Sequence, residues 1–124
     1  MSKIIVAESA GFCFGVNRAI NILYKLIDEN KPACTLGPII HNMQMVNELR
    51  EKGVRTIDKI SEAKENETIV IRSHGVPQSI VDEIKERHLD YIDATCPFVS
   101  KIHKIVSETD DDSIVIIAGD KNHP

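Results

Sequence analysis

Residues 33–57 read "ACTLGPIIHNMQMVNELREKGVRTI". Two short strand-like runs, 33–36 and 54–57, flank a segment in which Met43, Val46 and Leu49 recur every third residue. That spacing predicts a helix with one buried face, and Gly53 stands where a left-handed residue would end it. Strand, helix and strand in so short a span read as a βαβ unit, two parallel strands joined by a crossover helix. The alternation continues in both directions. Further strands are expected at 3–7, 68–72, 91–93 and 113–118, with a short polar helix or turn at 59–66. Val16, Ala19, Ile20, Leu23 and Ile27 make the stripe of a first helix, and Pro77 suits the first turn of one carrying Ile80, Val81 and Ile84. Pro97 opens another, with Val99, Ile102 and Val106 as its stripe. The fold class expected is α/β, a mainly parallel sheet with flanking helices.

Composition narrows the function. The chain of 124 residues is long enough for one domain with a real core. A net charge of -4 disfavours nucleic acid as a partner, since a binder of phosphates shows a basic face. No basic segment leads into an apolar one, so no signal peptide is read, and "IVIIA" is too short to span a bilayer. Three cysteines, an odd count, fit a disulfide scaffold poorly and a reducing cytoplasm well. A cytoplasmic protein with no membrane partner is the expectation. The run at 113–118 reaches "AGDKNHP" without the helix that should cover a parallel strand, so a longer chain is expected.

The reactive residues cluster in this pattern. In open α/β sheets ligands bind beyond the carboxyl ends of the strands. Cys13, His41, His74, Cys96 and His123 each follow an expected strand, five of the eight Cys and His residues. Chance would put roughly two there if such loops hold about a quarter of the chain. Cys13, in "GFCFGV", and Cys96, in "DATCPFV", both stand before a helix N-terminus, which favours the thiolate that binds metal. Glycines beside Cys13 and His74 allow close backbone approach to an anion. Cys34, inside a strand, reads as a core residue. His88 reads as a helix-end cation, and His103 carries no assignment. There is no C-x-x-C and no nucleotide-binding glycine fingerprint. A zinc site from distant thiols and histidines, or a Cys–His nucleophile, stays open on these grounds.

"GFCFGV", "GPIIHN", "IRSHGV", "DATCPFV" and the terminal "HP" resemble, in order, the 4-hydroxy-3-methylbut-2-enyl diphosphate reductase family. The resemblance runs along the whole chain. It implies an iron–sulfur oxidoreductase of the non-mevalonate isoprenoid pathway. Two electrons and protons remove an allylic hydroxyl as water, giving isopentenyl and dimethylallyl diphosphates. Cys13 and Cys96 match two of the three cysteines that hold the cluster, a 4Fe-4S centre that becomes 3Fe-4S on losing its labile iron. His41, His74 and His123 match the histidines that bind the substrate diphosphate. A flavodoxin or ferredoxin would supply electrons.

Family members are more than twice as long, with three similar α/β lobes about the cluster. On that pattern residues 1–96 form the first lobe and 97–124 open the second, truncated. The third cysteine, the Ser/Asn residues that help hold the diphosphate and the proton-donating Glu after "HP" lie beyond Pro124. No catalytic residue falls within the chain, which alone is expected neither to keep a stable cluster nor to turn over. Two other readings compete: a non-catalytic diphosphate-binding α/β module, and a zinc-binding or thiol-switch protein using Cys13 and Cys96.

Overall fold

The computed structural model describes residues 2–120. Helix α1 (Phe14–Asp28) comes first, followed by β1 (Ala33–Leu36), α2 (Met43–Glu51) and β2 (Arg55–Ile57). A single 3-10 turn, Ile60–Glu62, leads to β3 (Thr68–Ile71), α3 (Gln78–Glu86), β4 (Tyr91–Asp93) and α4 (Pro97–Ser107). The four strands form one parallel sheet in the order β2-β1-β3-β4. The βαβ unit read from residues 33–57 is present, with Asn42 capping α2 by accepting from the Met45 amide at 3.0 Å. Gly53 ends that helix at φ +94°, a conformation a side chain would strain.

Central strands are buried on both faces, so their side chains alternate between two cores. Val70 joins Ala19, Ile20, Leu23 and Leu26 of α1, with Leu49 of α2. Its neighbours Ile69 and Ile71 point the other way, to Cys34, Leu36, Ile57, Ile60 and Ile84 of α3. The α1 stripe is realised, except that Val16 and Ile27 are only partly buried while Leu26 is fully so.

Corrections fall at the two ends. Residues 3–7 and 113–118 are not strands, and their apolar side chains face solvent, Ile4 89% and Ile114 90% exposed. A strand exists only by pairing, and neither segment hydrogen-bonds to the sheet. Helix α4 forms with Pro97 in its first turn, yet it buries no residue, leaving Ile102 and Val106 exposed. Met43 is likewise exposed, and α2 is anchored by buried Val46 and Leu49, with partly buried Met45 packed against the core that Leu49 joins. Pro77 caps α3 from outside instead of lying in its first turn. His88 does end α3, standing just past its cap with φ +54° as a left-handed terminator. His123 lies outside the described residues.

Candidate active site

The chain moves outward from β1 to β2 and then crosses to β3 on the other side of β1. The carboxyl ends of β1 and β3 therefore flank the point where strand order reverses, the place where open sheets bind ligands. His41 follows β1 and His74 follows β3. Buried Ile39 and Ile40 hold the loop before His41, and the Asn42 cap holds it after. The two rings meet edge to face with Nε2 to Nε2 at 3.1 Å. At that distance one ring donates and the other accepts. An anion drawing a hydrogen bond from each Nε2 would have to part them.

Cys13 and Cys96 occupy equivalent places. Each is the residue immediately before a helix, Cys13 for α1 and Cys96 for α4. The unpaired N–H groups and dipole of a helix N-terminus favour negative charge there. Neither thiol makes a capping hydrogen bond. Phe14 and Phe98, one residue beyond and two, meet edge to face at 6.5 Å and bring the two helix starts together.

Cys13, Cys96, His41 and His74 line one cavity of about 320 Å³, walled also by Gly15, Val16, Ile40, Ser73 and Val99. Gly15 forms its floor. A Cβ there would stand 2.6 Å from Cys96 Sγ, so only glycine leaves room for the thiol against α1. Backbone bonds tie the walls together. The Cys96 amide donates to Ser73 O at 2.8 Å and the Ala94 amide to Ile71 O at 3.1 Å, continuing the β3–β4 pairing into the site. Asp93 accepts from both the amide and the hydroxyl of Thr95, which shapes the turn before Cys96. The His103 ring packs against Gly75, where a Cβ would lie 3.0 Å from its Cε1, and so steadies the loop carrying His74.

Sequence reasoning missed this supporting set. The Asp-x-Thr turn had a readable signal. Ser73 and His103 had none, because their partners lie far along the chain. Cys34 is fully buried, and desolvation beside Glu67 pushes its thiol up to about 11, so it stays protonated and inert. That agrees with the core reading.

The family described as LytB protein matches this chain over residues 4–124. The chain belongs to the LytB family. It is 44% identical over 124 residues to the 4-hydroxy-3-methylbut-2-enyl diphosphate reductase of Clostridioides difficile, covering 98% of this chain and 44% of the relative. The protein of the same name from Aquifex aeolicus is 44% identical over 126 residues, covering 100% and 43%. A solved structure of (E)-4-hydroxy-3-methyl-but-2-enyl diphosphate reductase, titled the terminal enzyme of the non-mevalonate pathway, superposes with a TM-score of 0.80. Identity there is 44%, over 100% of this chain and 44% of that one. The Plasmodium falciparum E-1-hydroxy-2-methyl-but-2-enyl-4-diphosphate reductase gives 0.75 at 30% identity, over 80% and 31%. The chain thus spans less than half the length of these relatives. The family expected from the motifs and the α/β fold expected from the alternating pattern both hold.

Among the described residues no three of His, Cys, Asp and Glu stand close enough to hold a metal ion by themselves. Two soft thiols lining one cavity, with Cys96 lying over Gly15, fit part of an iron–sulfur cage, short of a whole one. No described helix is long and apolar enough to cross a membrane.

Proposed function

We propose that this chain is the amino-terminal part of a 4-hydroxy-3-methylbut-2-enyl diphosphate reductase, an oxidoreductase of isoprenoid biosynthesis. In this reading Cys13 and Cys96 are two thiolate ligands of a 4Fe-4S cluster, or of the 3Fe-4S form left when one iron departs. His41 and His74, with His123, take the substrate diphosphate. The observation that carries the reading is the single cavity lined by both thiols and both histidine rings. The bound cluster would supply electrons and a Lewis-acidic iron for loss of the allylic hydroxyl. The chain's own groups do the rest. The histidines orient the diphosphate by hydrogen bonds and offset its charge. Val16, Ile40 and Val99 give an apolar wall suited to the five-carbon chain.

Residues 1–96 are then a first lobe and 97–124 the opening of a second, a division supported by the unburied α4. A flavodoxin or ferredoxin is the electron donor and the cytoplasm the compartment. With two of three thiolates, the isolated chain is inactive.

The test of the substrate half is a titration with inorganic diphosphate, followed by NMR at the histidine ring protons. His41 and His74 signals should move together and saturate, and His41→Ala should abolish the binding. No movement at either ring would contradict the reading. Iron uptake indifferent to Cys13→Ser and Cys96→Ser would favour a non-catalytic diphosphate module. Stoichiometric zinc in anaerobically purified protein would favour a zinc or thiol-switch protein.

A further inference from the structure

We propose that Arg18 is a positioning residue for Cys96, fixing the peptide that carries this thiol to the helix that carries Cys13. Arg18 lies on α1, five residues beyond Cys13. Its Nη1 donates to Thr95 O at 3.2 Å and its Nη2 to Asp93 O at 3.4 Å. A guanidinium fork reaches both carbonyls at once, which an ammonium does not.

The consequence lies in one peptide unit. Thr95 C=O and Cys96 N–H belong to the same rigid plane. Arg18 holds the carbonyl end, and Ser73 O accepts from the amide end at 2.8 Å. Pinned at both poles, the plane is held, and from it Cys96, at φ -58°, directs its side chain over Gly15. On the other side Asn17 Nδ2 donates to Phe12 O at 2.9 Å and fastens the residue before Cys13 to the same helix. Adjacent residues of α1 thus secure both thiol-bearing turns. Thr95 is only 8% exposed, so its carbonyl has little water to replace the lost donor.

The assignment rests on reading Cys13 and Cys96 as paired cluster ligands, but its test needs no cluster. Iodoacetamide labelling of each cysteine is followed by peptide mass spectrometry, with rates taken per thiolate from their pH dependence. In Arg18→Met, which loses both bonds, Cys96 should label at least about tenfold faster, the factor that losing the charge-assisted bond to Thr95 O alone gives to local opening. Cys13 should hold its rate, and buried Cys34 should stay protected. If Arg18→Met exposes Cys34, Arg18→Lys carries the test, since it keeps the charge and stem and loses one arm of the fork. In whichever variant protects Cys34, an unchanged Cys96 rate overturns the assignment. Exposure of Cys34 in both variants also overturns it, making Arg18 a residue of the fold. With a small external thiol supplied as the third ligand, absence of iron uptake that depends on Cys13 and Cys96 would overturn the cluster reading alone and leave the labelling to decide the clamp.

Discussion

The lobe from α1 to β4 and the segments flanking it are written in the same alphabet and fold differently. "TIVI" at 68–71 is a strand whose last three residues are buried, whereas "IVIIA" at 114–118 is irregular and exposed. Helix α1 buries five residues and α4 none, although both carry apolar stripes. The difference is company. β3 lies between β1 and β4, which take up its backbone groups, and helices cover both its faces. An apolar pattern states what a segment can bury, and only a neighbour turns that into structure.

Four substitutions or conditions would sharpen or break this contrast. Leu23→Ala, at a fully buried site in the α1 core, should lower unfolding stability by about 2–5 kcal/mol in a denaturant titration. Gly15→Ala should cost about 1–3 kcal/mol, because its new methyl meets Cys96 Sγ, and it should alter Cys96 labelling more than Cys34 labelling. Alkaline titration probes the second core. The Cys34 thiol is held up to about 11 in the folded lobe against an ordinary value of 9.0, so the unfolded chain loses its proton first. Stability should be intact below pH 9 on this account and fall by roughly 2 kcal/mol as the pH rises toward 11. Cys34→Ala should flatten that fall when unfolding is followed by circular dichroism. At the flank, Ile116→Ser should change stability by no more than about 0.5 kcal/mol. A cost there equal to that of Leu23→Ala would break the contrast outright.

The parts legible in the sequence were those whose cause is local. The βαβ unit of 33–57 could be read because its stripe, its glycine stop and its two strands are contiguous. Cys13 and Cys96 could be paired because each precedes a helix, a position visible in the chain itself. The pairing of His41 with His74 at 3.1 Å needed the strand order, which no spacing supplies. Arg18 was illegible for the same reason, since its carbonyl partners lie 77 and 75 residues away. The end segments differ from the expectation because an apolar run states what could pair, while the neighbour that would pair with it is not written in the run itself.

The most direct test of the central claim is anaerobic reconstitution with iron and sulfide, a small external thiol standing in for the third ligand. Bound iron and visible thiolate-to-iron absorption are read together. The account predicts both in the unaltered chain and in Cys34→Ser, and the loss of both in Cys13→Ser and in Cys96→Ser. Equal iron in all four proteins, or none in the unaltered chain, would contradict it.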